Sequence, residues 1–497
     1  MTRLLVVIAL LASSAPLVLP SQSPPPSPFV TPGPLLVPVD ADSGDEIGAG
    51  VHISGELAIL GGIGAGPGFT GAATIYRLVD SMWIEEQHLV PSSVDSSLLF
   101  GDAVAIDGNF AFVGAPLFGD GNAGAVFVYA FDGTTWNETQ VLTSPLTTTT
   151  FGRRLSLSGD RLLVGHGGVV TSGPGTGGAD VFRFESPNWV HEATLIPAAA
   201  AVGDLYGHAV ALSGTVALLG GLGVDAGSFN TSGAATFFEF DGANWVEGQT
   251  VSPLLPSSGA FGTSVSIDGD RAVVGADLAE SEEGLVIGAV TVFERVGGTW
   301  FEQAVLPAPN DAFAGRFGRS VAICGDEFFV GDPLKGPGGS TYHYRLVDGD
   351  WTLLGSVIPS GTTVGDEAGE AISFDGESLL VGAPNDSGGT GSPSGSASVF
   401  TVLPAPVFRR GDANQDGVVD IADPVRILNS LFPDLTSAGI PCEVAADAND
   451  DETVNLADVV RLLSWLFVSA EPPLPAPECG PDPTSGTLTC LEFTFCP

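Results

Sequence analysis

The sequence predicts an all-β protein, a seven-bladed β-propeller with four-stranded antiparallel blades, followed by a small α-helical domain. Three observations predict this fold class. A cassette of glycines returns seven times at a nearly constant interval. A tryptophan recurs at one fixed place in six of the seven copies. Near the C-terminus the pattern changes to two acidic loops, each followed by apolar residues at helical spacing.

Each cassette contains three glycines with fixed spacing. A first glycine is followed seven residues later by a turn glycine and, six residues after that, by a closing glycine. An interval of roughly 51–56 residues between copies is typical of propeller blades or solenoid repeats. The first glycines are Gly48, Gly101, Gly152, Gly207, Gly262, Gly318 and Gly369.

The second copy shows what one repeat builds. Two short apolar runs flank the turn Asp107-Gly108-Asn109, which predicts a tight hairpin because glycine tolerates a positive φ. A third strand follows the loop after the closing glycine, and a fourth contains the tryptophan, which makes the four antiparallel strands of one blade. We interpret the recurring tryptophans as packing between blades, with ligand stacking as the alternative. They are Trp83, Trp136, Trp189, Trp245, Trp300 and Trp351.

The seventh copy ends without a tryptophan-containing strand. The missing strand is predicted at the opposite end of the repeat region, because residues 34–38 resemble the segment after Trp83. An N-terminal strand would then complete the last blade and close the ring, which leaves no open sheet edge. The predicted propeller covers residues 34–403.

The motif Phe100-Gly101, followed by Gly114-Ala115-Pro116, resembles the FG-GAP repeat of integrin α-subunit propellers and related bacterial extracellular proteins. The resemblance covers residues 34–403 and implies a propeller fold and an extracellular protein. Many members of that family carry an aspartate-rich calcium loop between the first two strands of a blade. Here these connections are tight turns such as Ser54-Gly55, so we expect no calcium in the propeller.

The tight turns and the long connections leave the predicted blades at opposite ends. Residues 166–177, 221–233, 276–288 and 384–395 form long connections that all leave from one face, which we call the loop face. We expect the loop face to bind a carbohydrate or protein, because variable loops on a rigid scaffold often carry binding sites. The alternative is that these loops have no binding role. The sequence predicts no catalytic residues, since its six histidines are scattered and HExxH and GxSxG motifs do not occur.

Two twelve-residue loops near the C-terminus have the donor spacing of EF-hand calcium sites, and each runs into a short helix. They lie 35 residues apart, and their duplication predicts two bound calcium ions. Positions 1, 3, 5, 7, 9 and 12 are Asp412, Asn414, Asp416, Val418 (through its carbonyl), Asp420 and Asp423 in the first loop, and Asp447, Asn449, Asp451, Thr453, Asn455 and Asp458 in the second. One apolar face is predicted for each helix, with Val425, Leu428, Leu431 and Phe432 matching Val460, Leu463, Leu466 and Phe467.

Two loop–helix units that lack the first helix of an EF-hand resemble a dockerin, and residues 411–468 carry that resemblance. It implies that the duplicated helices anchor the chain to a cohesin-like or other surface protein. The whole C-terminus is similar to the dockerin-like ends of secreted planctomycete proteins. Two residues depart from the pattern, since Glu452 replaces the glycine at position 6 of the second loop and Pro424 begins the first helix.

Four cysteines lie in the C-terminal region, three of them in a Cys/Pro-rich tail at residues 469–497. In an exported chain Cys442, Cys479, Cys490 and Cys496 predict two disulfides with three possible pairings, and a zinc site is the alternative. Cys324, in a blade hairpin, is predicted to be a buried free thiol.

The N-terminus predicts export. Arg3 precedes an apolar run and then small residues, so residues 1–20 are predicted to be a signal peptide. Residues 21–33, rich in Pro and Ser, and residues 404–410 are predicted linkers. No later apolar run is long enough to span a membrane. Acidic residues outnumber basic ones 58 to 16, and the net charge of -42 excludes nucleic acid and anionic membranes as main partners.

These features predict a secreted, non-catalytic recognition or adhesion protein. Its propeller would bind a carbohydrate or protein, and its dockerin-like domain would bind calcium and a partner. The alternative is an extracellular polysaccharide-degrading enzyme of the glycoside hydrolase type, because dockerins often accompany such domains. Acidic or histidine side chains that converge in the central channel or on the loop face would favour the enzyme.

Overall fold

The computed structural model describes residues 24–66, 68–92, 98–169, 176–224, 232–253, 258–281, 284–309, 315–347, 349–387, 393–404, 408–432, 440, 442–451 and 453–468. The predicted signal peptide and the cysteine-rich tail lie outside the described residues. The described part contains thirty strands and three α-helices.

The strands are short and follow one another with few helical interruptions, as expected for an all-β chain rich in turn residues. In chain order they are β1 (Val30–Leu36), β2 (Ile47–Ser54), β3 (Leu57–Gly62), β4 (Ala72–Val79), β5 (Met82–Leu89), β6 (Val104–Asp107), β7 (Phe110–Ala115), β8 (Ala125–Phe131), β9 (Trp136–Leu142), β10 (Thr148–Thr149), β11 (Arg154–Ser158), β12 (Arg161–His166), β13 (Gly168–Val169), β14 (Gly178–Glu185), β15 (Asn188–Leu195), β16 (Tyr206–Ser213), β17 (Val216–Gly221), β18 (Ala234–Phe240), β19 (Trp245–Val251), β20 (Ser258–Asp268), β21 (Arg271–Ala279), β22 (Ala289–Val296), β23 (Thr299–Pro307), β24 (Ser320–Cys324), β25 (Glu327–Asp332), β26 (Ser340–Val347), β27 (Asp350–Val357), β28 (Ala371–Phe374), β29 (Ser378–Ala383) and β30 (Ser396–Val402). The helices are α1 (Ala422–Leu431), α2 (Glu443–Ala446) and α3 (Leu456–Val468).

Seven four-stranded antiparallel sheets form the blades, which confirms the predicted propeller. Blades 1 to 6 use strands in chain order, β2-β3-β4-β5, β6-β7-β8-β9, β11-β12-β14-β15, β16-β17-β18-β19, β20-β21-β22-β23 and β24-β25-β26-β27. The first strand of each blade contacts the first strands of both neighbours, and β2 contacts β28. These first strands therefore line the central channel, and the ring is closed. A minor sheet pairs β10 with β13.

The seventh blade joins the two ends of the repeat region in the order β1-β30-β29-β28. Strand β1 pairs antiparallel with β30, from Val30 opposite Val402 to Leu36 opposite Ala397. This pairing confirms the predicted closure by an N-terminal strand. The strand begins at Val30, however, so the predicted propeller boundary at residue 34 was too late.

The predicted linker at residues 21–33 is wrong for its described part. The amide of Ser27 donates to the carbonyl of Ser356 on β27 at 2.9 Å, and the amide of Ser356 donates to the carbonyl of Pro25 at 2.9 Å. The Ser27 hydroxyl also lies 2.9 Å from Nδ1 of the fully buried His343. Residues 24–29 are thus attached to the sixth blade by backbone pairing, which needs no apolar periodicity and left no sequence pattern.

The recurring glycines are contacts between blades. A Cβ atom added at Gly114 would lie 1.9 Å from the carbonyl oxygen of Gly152, the first glycine of the next blade. The same contact closes the ring, where a Cβ at Gly382 would lie 2.2 Å from the carbonyl oxygen of Gly48. The spacing is constant because each closing glycine packs against the backbone of the following blade, where a side chain does not fit.

The tryptophan prediction is confirmed, because these residues lie between blades. The ring of Trp189 packs edge-on against Phe112 of the preceding blade, with centroids 4.9 Å apart. The Gln140 side chain of that blade donates to the Trp189 carbonyl at 2.8 Å and accepts from its amide at 2.9 Å. The same amide clamp joins Gln87 to Trp136 and Gln249 to Trp300. Four of the six indoles are buried, whereas those of Trp83 and Trp245 are half-buried.

Candidate functional sites

The first acidic loop folds around its two terminal carboxylates. Asp412, at position 1, accepts hydrogen bonds from the amides of Asp416 at 3.1 Å and Gly417 at 2.9 Å. Asp423, at position 12, accepts from the amides at positions 3 and 9, at 3.1 and 2.8 Å. Gly417 has a φ of 84°, which supports its predicted role in the sharp turn.

The second loop repeats this hydrogen-bond pattern. Asp447, at position 1, accepts from the amide of Asp451 at 3.2 Å. Asp458, at position 12, accepts from the amides of Asn449 at 3.2 Å and Asn455 at 2.8 Å. The two loops therefore have the same local fold, although positions 4, 6 and 10 differ between them.

A left-handed residue at position 4 is common to both loops and was not predicted. Gln415 has a φ of 59°, and Asp450 has a φ of 60°. Glu452, the predicted departure at position 6, lies outside the described residues. The side-chain oxygen of Asn449 is buried without a hydrogen-bond partner in the described structure, so an oxygen donor is available at position 3 of the second loop.

The loop carboxylates are buried near one another. Burial raises the pKa of Asp423 and of Asp458 to about 6, and it also raises the pKa of Asp412. A divalent cation would remove the cost of placing these charges together, and the donor set is the oxygen-only set that calcium prefers. Within the described residues, no three His, Cys, Asp or Glu side chains converge as metal ligands, and the carboxylates bond the loop amides instead.

The two helices expose matching apolar residues. Ile427 and Leu462, 35 residues apart, are fully buried between α1 and α3. Leu428, Leu431 and Leu463 pack against that core. The sequence predicted one apolar face per helix, and the structure buries only part of that set, since its other members point outward. Matching exposed pairs are Ile421 and Leu456, Val425 and Val460, and Phe432 and Phe467, with exposed fractions of 56 and 51%, 49 and 61%, and 67 and 66%.

The predicted linker at residues 404–410 is also partly wrong, because its last residues belong to the C-terminal domain. Arg410 is buried, and its guanidinium lies 2.9 Å from the Asp450 carboxylate and donates to the Asp447 carbonyl at 2.6 Å. The neighbouring Arg409 donates to the Gly417 carbonyl of the first loop. Adjacent arginines thus contact both loops.

The cysteine predictions are only partly covered by the structure. Cys442 is buried, whereas Cys479, Cys490 and Cys496 lie outside the described residues, so the two disulfides stay a prediction. Cys324 is a free thiol, as predicted, but it is half-buried rather than buried. Burial raises the pKa of the Cys324 thiol.

The loop face contains a cleft that the sequence did not predict. It has a volume of 670 Å³ and lies beside blade 1, between the segment after β1 and the β3–β4 connection. Its walls include Asp40, Asp42, Asp45 and His88, together with Phe69, which is 69% exposed. Parts of all four predicted long connections (170–175, 225–231, 282–283 and 388–392) lie outside the described residues.

Charged residues and a histidine converge at the mouth of the central channel. Arg319 lies 2.6 Å from the carboxylate of Glu370 and 3.9 Å from that of Asp277, which is buried. Burial raises the pKa of Asp277. The pKa of His208 is lowered to about 3, first by burial and then by nearby arginines. The sequence could not predict this convergence, because the residues come from different blades and lie more than 40 positions apart.

The comparison with family models supports the propeller. The family model of the FG-GAP repeat matches residues 83–129 and 351–400. No curated protein matches the sequence. The chain is similar to the "putative 6-phosphogluconolactonase" of Bacteroides uniformis at 13% identity and a TM-score of 0.44, over 62% of this chain and 84% of that chain. The seven blades show a β-propeller, and two of its segments match the FG-GAP repeat. No helix in the described part of the chain is long and apolar enough to cross a membrane.

Proposed function

We propose that this protein is a secreted, non-catalytic recognition or adhesion protein whose loop face binds a carbohydrate or protein ligand. The FG-GAP propeller is consistent with such a role, and such repeats are typical of extracellular proteins. The observation that carries the proposal is the closed ring, which presents a cleft and channel-mouth side chains on one face. The test is a glycan array and a protein pull-down with the full chain, and ligands of neither class would contradict it.

We further propose that the C-terminal domain is dockerin-like and binds two calcium ions. Its support is the repeated hydrogen-bond pattern, which aligns the same donor positions in both loops. Bound calcium would neutralise the loop carboxylates. Titration calorimetry of the full chain should find about two sites, and the variants Asp412→Asn and Asp447→Asn should each remove one. Equal calcium binding by the double variant would contradict the assignment.

The exposed apolar pairs on α1 and α3 support anchoring to a cohesin-like or other surface protein. Phe432 and Phe467 are both about two-thirds exposed, and each helix exposes a further valine, Val425 or Val460. Exposed apolar residues grouped on one element commonly mark protein interfaces. Because the pairs are duplicated, either helix could present the same contact. Substituting both phenylalanines by alanine should abolish capture of a surface partner, while Arg271→Ala, on a propeller turn, should leave it unchanged.

The alternative function, a glycoside hydrolase, has one observation in its favour. Asp277 and Glu370 flank Arg319, and the raised pKa of Asp277 suits a proton donor. We favour recognition because the guanidinium engages both carboxylates and would oppose a role as acid and nucleophile. Release of reducing sugar from a polysaccharide, lost in Asp277→Asn, would support the enzyme instead.

A further inference from the structure

One residue from each blade surrounds the channel mouth, immediately after the first glycine of each repeat. These residues are Ala49, Asp102, Arg153, His208, Thr263, Arg319 and Glu370. In blade 2 the amide of Gly114, at the end of β7, donates a hydrogen bond to the carbonyl of Ala103, just before β6 begins. The start of the first strand therefore lies beside the end of the second. The long β7–β8 connection leaves from that end. The mouth defined by these residues therefore opens on the loop face.

Positive charge is concentrated at this mouth in an otherwise strongly acidic protein. Of the 16 lysines and arginines in the chain, four arginines lie here. Two of them are neutralised, since Arg319 pairs with Glu370 at 2.6 Å and Arg316 pairs with Asp277 at 2.8 Å. Three blades away around the ring, on blade 3, the charges are less well matched.

Arg153 and Arg154 form that region. Arg153 is exposed and makes no ion pair with any residue that the structure describes. Arg154 comes no closer than 3.7 Å to Asp102, and its hydrogen bond goes to the Arg153 carbonyl at 2.8 Å. A carboxylate or sulfate oxygen could bind here without displacing a strong pair.

His208, from the next blade, adds a neutral polar group beside these arginines. Its side chain makes no hydrogen bond to the described residues, and it is half-buried. Its pKa is lowered to about 3 by burial and by Arg154, Arg153 and Arg319, so the imidazole is neutral at pH 7. A neutral imidazole can donate one hydrogen bond and accept another, which suits a hydroxyl group.

We propose that Arg153, Arg154 and His208 form a binding site for a terminal uronic acid residue of a glycan. The two guanidinium groups hold the carboxylate, and the imidazole bonds a hydroxyl next to it. A single acidic sugar fits better than a polyanion, because the net charge of -42 repels extended anions. This inference rests on the proposed function and names the ligand class of the loop face.

The test is calorimetric titration of the full chain with glucuronate, glucose, N-acetylalanine and inorganic sulfate at low ionic strength. Glucuronate should bind, and glucose should bind at least about tenfold more weakly because the charge-assisted bonds are absent. Arg153→Gln and Arg154→Gln should each weaken glucuronate binding by about tenfold. Arg271→Gln is the matched control, because it removes the same charge from the opposite, turn-bearing face, where Arg271 pairs with Asp326 at 2.5 Å.

Three results would overturn the inference. Binding of N-acetylalanine or sulfate as tight as that of glucuronate would show an anion site without sugar recognition. Unchanged glucuronate binding in Arg153→Gln and Arg154→Gln, with folding verified by circular dichroism, would place the ligand elsewhere. Binding of a neutral glycan, unaffected by both substitutions and with no binding of glucuronate, would overturn the uronate site while leaving the proposed recognition function intact.

Discussion

Substitution of Leu36 by alanine tests whether β1 stabilises the seventh blade. The leucine side chain is 3% exposed and packs with Ile47, Leu380 and Val399, which come from both ends of the repeat region. The neighbouring Leu35 points the other way along the strand and is 41% exposed. The same substitution to alanine at these two positions therefore removes the same atoms from a core and from a surface.

The expected effect follows from burial. Leu36→Ala removes about three methylene equivalents at about 0.8 kcal/mol each and leaves a cavity, which together give about 3 kcal/mol of lost stability. Leu35→Ala should cost about 0.5 kcal/mol or less, as expected for an exposed position. With a urea slope of about 3 kcal/mol per molar, the two midpoints should differ by about 0.8 M.

Equilibrium urea unfolding, followed by tryptophan fluorescence, measures this difference, since five of the seven tryptophans lie in blades 2 to 6. Equal midpoints for Leu36→Ala and Leu35→Ala would refute the argument that β1 holds the ring closed. Deletion of residues 1–36 gives a second readout, because an unpaired β30 edge should oligomerise in size-exclusion chromatography. A monomeric truncation with unchanged stability would contradict the closure.

Three further predictions concern the blade interface, the channel and the second calcium loop. Gln140→Ala should lower the free energy of unfolding by about 1–3 kcal/mol, because two hydrogen bonds to Trp189 are lost. Val141→Ala on the same strand is the control and should have a smaller effect. Equal effects of the two substitutions would show that the hydrogen bonds of Gln140 do not stabilise the blade interface. His208 has a folded-state pKa lowered to about 3, below its unfolded value of about 6.5, so its contribution is present above pH 6.5 and is lost as pH falls toward 3. His208→Asn should therefore flatten the fall in stability between pH 6.5 and 4, and an unchanged profile would argue against a buried neutral imidazole. Glu452→Gly should tighten calcium binding at the second loop by about fivefold, because the equivalent Gly417 is left-handed and a non-glycine residue in that conformation costs about 1 kcal/mol. Weaker binding in calorimetry would mean that the lost charge matters more.

The sequence alone determined the number of blades and the closure of the ring. The glycine spacing carries that information because Gly114 and its equivalents contact the next blade backbone to backbone, so neither the residue type nor the interval can vary. The sequence also predicted the two twelve-residue loops, because the groups whose hydrogen bonds hold each loop together lie within the loop itself. In both cases the pattern is local and repeated.

Tertiary structure decided what no local pattern encodes. Residues 24–29 pair with β27 through backbone groups, which any composition provides, so the segment had the sequence of a linker. Helical spacing identified the apolar residues of α1 and α3, but only packing decided that Ile427 and Leu462 face inward while Phe432 and Phe467 face solvent. The channel mouth required the ring itself, because its charged residues lie one blade apart in sequence and act on one another only after closure has brought them around a common axis.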